Sequence, residues 1–248
     1  MMESPWRLKG HEAQLALPGV EATIDLAAPS CGLSRLAVLG QDLHGSVLGA
    51  HHADVEPHAW GAVIESYERG EDLVAVYDQT EACPFRTTFY WRAGGALAEK
   101  PGVTLDMILS VQTNLLDVTP RIETRSCFSD AEVVLFPPSD DKSRLDLNRG
   151  TLLAEAPPDA EIGCVMLRLA ELDATYCELI HPSDWRGLSI RRDGDQIEWS
   201  WSLVGHFMEK GVIRRLRVRG AFLKGRAKEK RVDELYADFA ESPPPLTT

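Results

Sequence analysis

The 248-residue chain is poor in the features that announce a mechanism. Cysteine is scarce: Cys31, Cys83, Cys127, Cys164 and Cys177 form no CxxC pair and have no histidine at zinc-finger spacing. An odd, scattered set of thiols fits a reduced, cytoplasmic protein. No apolar run approaches the roughly 18 residues that span a bilayer. The opening MMESPWRLKGHE has no basic segment followed by an apolar one, so neither a membrane span nor a Sec-type leader is expected. A glycine-rich phosphate loop, GxSxG, HExxH and a dinucleotide fingerprint are all missing, and no cofactor or metal is expected. Positive charge is in deficit, with 26 Lys and Arg against 38 Asp and Glu and a net charge of −12. That balance opposes general attraction to nucleic acid or to an anionic membrane.

What the chain does have is alternation. After Gly211, Arg215, Arg217 and Arg219 share one face of a strand, and Leu216, Val218 and Phe222 share the other. The pattern recurs in Arg86, Thr88, Tyr90 and Arg92 against Thr87, Phe89 and Trp91, and again in Arg121, Glu123 and Arg125 against Ile122, Thr124 and Ser126. Three strands thus offer arginines on a polar face. Local pairing with the many carboxylates is the competing reading for each of them.

Short runs rich in Val, Ile, Leu, Thr and aromatics, separated by turn chemistry, predict about fourteen strands and an all-β fold. So many strands must split into two packed sheets, so a large, mostly antiparallel β-sandwich is expected over residues 1–248 as a single domain. Arg69–Asp72 and Arg192–Asp195 read as hairpin turns. The one helix falls at Lys228–Glu241, where Val232, Leu235, Tyr236 and Phe239 mark a single apolar face. Phe136–Asp159, with four prolines around a charged stretch, reads as a long surface loop or as a crossing between halves. The segment from Leu43 to His58 reads as a loop rimming a cleft.

The densest cluster of chemically capable side chains is Glu178–Gly187, ELIHPSDWRG. There His181 can move a proton near neutral pH, Asp184 or Glu178 can fix its tautomer, and Trp185 can stack on a sugar ring. The competing reading is an ordered corner with Trp185 plugging the sandwich. Glu209, beside Lys210 and before Gly211, is a candidate general base or a solvated turn residue. Tyr90 shares the arginine side of its strand and belongs to a cleft, whereas Trp199 and Trp201 share a side with Ile197 and read as core. His44, His51, His52 and His58, with Asp54 and Glu56, invite a metal hypothesis, but adjacent His51 and His52 point to opposite faces of a strand.

With its strand count, its C-terminal arginine strand and its HPSD and EKGVIRR segments, the stretch Leu33–Leu223 resembles the galactose mutarotase-like supersandwich superfamily, which includes aldose 1-epimerases. The family's Asn-His dipeptide is absent. The resemblance implies a carbohydrate site on a concave sheet face, with an imidazole protonating the ring oxygen and a carboxylate acting as base at the anomeric hydroxyl. By position, His181 and Glu209 would take those roles.

The sequence is therefore read as a cytoplasmic protein that binds a small-molecule carbohydrate or sugar acid and interconverts its anomers. His181 and Glu209 are the catalytic candidates, and Arg86, Tyr90, Arg125, Asp184, Trp185 and Arg217 the binding candidates. The alternative is a non-catalytic binding or assembly protein that uses the arginine-rich face. Neither reading fixes the oligomeric state.

Overall fold

The computed structural model describes residues 4–53, 60–94, 102–129, 131–136, 153–156, 163–169, 172–203 and 207–243. Its strands are β1 (Trp6–Lys9), β2 (Glu12–Leu17), β3 (Val20–Asp25), β4 (Leu33–Val38), β5 (Gln41–Leu43), β6 (Gly45–His52), β7 (Val63–Arg69), β8 (Asp72–Tyr77) and β9 (Phe85–Gly94). There follow β10 (Gly102–Thr113), β11 (Ile122–Ser129), β12 (Ala131–Phe136), β13 (Leu153–Ala156), β14 (Cys164–Leu169), β15 (Ala174–Ile180), β16 (Trp185–Asp193), β17 (Gln196–Leu203) and β18 (Ile213–Lys224). One helix, α1 (Glu229–Glu241), closes the described chain.

The strands form two antiparallel sheets. The larger runs β1-β2-β3-β4-β6-β11-β17-β16-β13, with β5 on β4, and the smaller runs β12-β14-β15-β18-β10-β9-β8-β7. Alternation decides which side chains enter the layer between them. From β9, Phe89 and Trp91 face inward; from β18, Leu216 and Val218; from β17, Ile197, Trp199, Trp201 and Leu203, all within one hydrophobic cluster shared by both sheets. The all-β sandwich expected from the sequence is the observed architecture.

Turn glycines fall where the strands reverse. Gly70 and Gly194 take φ of 61° and 59° in the two hairpins anticipated at Arg69–Asp72 and Arg192–Asp195, a region that other residues adopt only with strain.

Two features differ from the sequence reading, and a third adds to it. Gly45–His52, expected as a loop, is the interior strand β6, paired with β4 and β11. Its glycines hid it, because glycine lowers strand propensity. Gly49 is needed for close approach: a Cβ there would collide with the Ser30 carbonyl. Leu153–Ala156, inside the expected Phe136–Asp159 loop, pairs with β16 as an edge strand; residues 137–152 and 157–159 lie outside the described residues. Finally, both faces of β15 are buried. Ala174, Tyr176 and Ile180 enter the sandwich, while Cys177 and Leu179 lie under Val232, Leu235 and Phe239 of α1, so the helix covers the outer side of β14, β15 and one end of β18.

Candidate functional site

The outer faces of the two sheets carry the polar chemistry, and they point in opposite directions. On the smaller sheet the register places Arg69, Asp72, Arg92, Asp106 and Arg219 in one row across β7, β8, β9, β10 and β18. The charges alternate in sign and neutralise one another. Arg92 Nε donates to Asp72 at 2.7 Å and Arg219 Nε to Asp106 at 2.6 Å, with Arg69 3.4 Å from Asp72.

Arg217 is held differently. Its guanidinium donates to Ser242 Oγ at 2.8 Å, to the Pro243 carbonyl at 3.0 Å and to the Ser242 carbonyl at 3.2 Å, and it lies over the Phe239 ring. It therefore caps the C-terminal end of α1, where carbonyls lack helical partners and a cation is favoured.

The Glu178–Gly187 cluster serves the same junction. His181 Nε2 lies 3.2 Å from the Ala240 carbonyl and Nδ1 lies 2.8 Å from Ser183 Oγ, which in turn lies 2.8 Å from Asp184. The second Asp184 oxygen accepts the Arg217 backbone N–H at 2.9 Å. Burial, aided by the Arg217 charge, pushes the His181 imidazole below its usual value. Trp185 sits in the hydrophobic core, as the plug reading held, and so does not offer a stacking surface. Glu209 is exposed in the turn before β18, and among the described residues no hydrogen bond or ion pair joins it to His181. The structure thus ties His181, Asp184 and Arg217 into a strap for the terminal helix.

Arg86, Tyr90 and Arg125 are divided. Arg86 and Tyr90 lie on β9 and Arg217 on β18 of the smaller sheet, whereas Arg125 lies on β11 of the larger, so the arginines expected at one binding site face opposite sides of the molecule. Among the described residues Arg86 and Arg215 make no ion pair, and Tyr90 is half-buried with Arg215, Arg69 and Tyr67 within electrostatic reach.

Arg125 lies on the outer face of the larger sheet. Its guanidinium donates to Glu198 at 2.7 and 3.0 Å. One register step away, β6 and β11 bring His51 opposite Glu123, with His51 Nε2 3.6 Å from the carboxylate. Burial lowers the His51 imidazole from 6.5; the Glu123 and Glu198 carboxylates act against that shift and Arg125 adds to it. His51 Nδ1 and Ser200 Oγ are buried without a hydrogen-bond partner among the described residues. The surrounding floor is small and polar: Ser202 pairs with Glu123 and Gly187, Ser189 with Ser200, and Gly49 with Arg125. A carboxylate, an imidazole and an ion pair are left open above a floor with unmet hydrogen-bonding capacity.

Sequence reasoning found Arg125 and Glu123 on a polar face and His51 opposed to His52. It missed that they meet. His52 turns inward and stacks on Phe85 at 5.3 Å, as the alternation requires. His44 is exposed, and His58, Asp54 and Glu56 lie outside the described residues. No group of three His, Cys, Asp or Glu suited to a metal occurs among the described residues. An apolar hollow of about 80 Å³ lies between Val20, Val38, Val103 and Phe222, with Lys224 as the one charged side chain among the described residues that line it.

No protein-family model matches the chain, and no curated protein sequence matches it. Solved structures do. A galactose mutarotase-like protein from Lactobacillus casei ATCC 334 superposes with a TM-score of 0.52 at 12% identity, covering 84% of this chain and 99% of that one. The chain has the galactose mutarotase-like fold. A galactose 1-epimerase from Lactobacillus acidophilus NCFM is similar at a TM-score of 0.46 and 8% identity, over 87% of this chain and 95% of that one. At these identities the mutarotase-like fold is what is shared, and a site must be argued from the side chains.

Proposed function

We propose that the protein binds a small carbohydrate on the outer face of its larger sheet and interconverts its anomers. The observation that carries this reading is the His51–Glu123 pair beside the Arg125–Glu198 ion pair, over a buried serine hydroxyl with no hydrogen-bond partner among the described residues. In this reading Glu123 takes the proton of the anomeric hydroxyl and the protonated His51 gives one to the ring oxygen. The C1–O bond opens to the aldehyde, and reclosure on the other face returns both protons. Arg125, Glu198, Ser200 and Ser202 hold sugar hydroxyls. The similarity to a galactose mutarotase-like protein supports the substrate class.

The test is polarimetry or NMR exchange of freshly dissolved α-anomers of glucose and galactose, with isothermal titration of the same sugars. Glu123→Gln and His51→Asn should each lower kcat by roughly 10²-fold or more. An unvarying rate across wild type and both variants removes the proposal. His181→Asn and Glu209→Gln are the companion variants, since the sequence reading gave the acid and base roles to those two residues. Loss confined to His181→Asn would move the site to the helix strap, and loss confined to Glu209→Gln would move it to the turn before β18.

A second reading rests on Arg86 and Arg215, exposed on the outer face of the smaller sheet and without an ion pair among the described residues, with Arg215 within electrostatic reach of Tyr90. A sugar acid would place its carboxylate there. Binding of glucuronate but not glucose, lost in Arg86→Ala, would favour it.

A further inference from the structure

Large apolar side chains are seldom left open in clusters on a monomer. Among the described residues seven are exposed, and five of them, Leu115, Leu116, Phe207, Val212 and Ile213, sit together. Leu115 and Leu116 lie on the crossover loop from β10 to β11, Phe207 and Val212 on that from β17 to β18, and Ile213 begins β18 at the same end of the sandwich. The loops are bound to each other: Met208 N donates to the Val118 carbonyl at 2.8 Å and Gly211 N to the Thr113 carbonyl at 3.1 Å. Ile213 pairs with Gln112 at the base. The tip is thus braced by backbone hydrogen bonds while Leu116 stands 78% and Phe207 54% exposed.

Leu115, Val212 and Ile213 are each about half exposed as well, so the patch offers five large apolar side chains to an interface, to which each partner ordinarily gives roughly 800 Å². The charges around it are of both signs: Asp117 and Glu209 stand among Lys210, Arg214 and Arg215, with every one of the five at least partly exposed. Anionic lipid or a strongly acidic partner calls for a patch of cations alone, whereas two carboxylates stand among these three cations, and the whole chain, at −12, repels both. A mixed patch suits a copy of itself. In a two-fold contact each residue meets the same surface, so interspersed acids and bases on one side find their opposites on the other.

We propose that the tip formed by residues 114–118 and 207–213 is an isologous homodimer interface, with Leu115, Leu116 and Phe207 in its apolar centre and Glu209, Lys210 and Asp117 at its rim. This stands independently of the sugar reading. The two loops are continuous with the strands that carry Glu123 and Ser202, so the contact also braces that end of the larger sheet.

The experiment is light scattering and sedimentation velocity on the full chain over a concentration series. Wild type should approach twice the 27.4 kDa chain mass and stop there. Leu116→Asp and Phe207→Asp should each weaken dimerisation by at least tenfold with unchanged circular dichroism, and Leu116→Met should retain it. A wild type that stays at monomer mass overturns the proposal, and so does a dimer that persists in both aspartate variants. Mass that grows without limit means a head-to-tail contact and overturns it too. So does a monomer that pellets with phosphatidylglycerol vesicles.

Discussion

Glu178, on the smaller sheet, accepts a hydrogen bond from the indole of Trp201, on the larger, at 3.0 Å. Trp199 donates to the same oxygen at 2.9 Å, and Ser126 and Tyr176 supply hydroxyls to the other at 2.6 and 2.8 Å. The carboxylate is buried with four donors and stitches β15 to β11 and β17 through the core. Glu123, Arg125, Glu198 and Ser200 lie on the reverse side of those same two strands.

Replacing Glu178 by Leu leaves two indole N–H groups and two hydroxyls buried without their acceptor. The expected loss is on the order of 3–5 kcal/mol in urea unfolding. Glu178→Gln, which keeps an acceptor for the indoles, should lose clearly less. Equal losses in the two variants would show that shape and not hydrogen bonding governs the site.

Burial pushes the Glu178 carboxyl above 4.5, and the four donors act against that shift without reversing it. The folded chain then holds a proton that the unfolded chain has released. Stability contributed by this group is present below about 4.5 and falls as pH rises through the raised value. Unfolding midpoints measured across that window should decline more steeply in wild type than in Glu178→Gln, and parallel curves would contradict the assignment.

His51 sets the pH profile of the proposed reaction. Its imidazole is lowered from 6.5, chiefly by burial, so the protonated form needed at the ring oxygen is lost as pH rises through a value below 6.5. The rate of anomer exchange should peak on the acid side of neutrality and fall about tenfold per pH unit above it. A rate that climbs toward alkaline pH would assign His51 the role of base.

The helix strap is testable by hydrogen exchange. Asp184→Ala removes acceptors of the Ser183 hydroxyl and the Arg217 backbone N–H, and should cost about 1–3 kcal/mol, with faster exchange concentrated in α1. Phe239→Ala, which opens the space beneath Arg217 and Arg219, should cost about 3–5 kcal/mol. Neither should alter sugar binding at His51, and loss of binding in both would place the site at the strap.

The interior strand β6 offers a last check. Gly49→Ala would press a methyl group against the Ser30 carbonyl and lie 3.0 Å from the Gly32 nitrogen. The expected cost is about 1–3 kcal/mol, together with weaker sugar affinity, because Gly49 pairs with Arg125. Full stability and full affinity would show that the Ser30 turn yields freely.

The amino-acid sequence by itself determined the sandwich, the inward set that includes Phe89, Trp199 and Leu216, the two glycine hairpins and the C-terminal helix. Each of these follows from a period of two or of 3.6 and from turn chemistry within a few residues. Only the tertiary structure decided where the polar faces go. Arg125 and Arg217 read alike along the chain, yet one opens beside His51 on the larger sheet and the other closes under α1 on the smaller. Alternation fixes which side of its own strand a residue occupies, whereas the sheet that a strand joins, and what later covers it, depends on pairings between residues far apart in the chain.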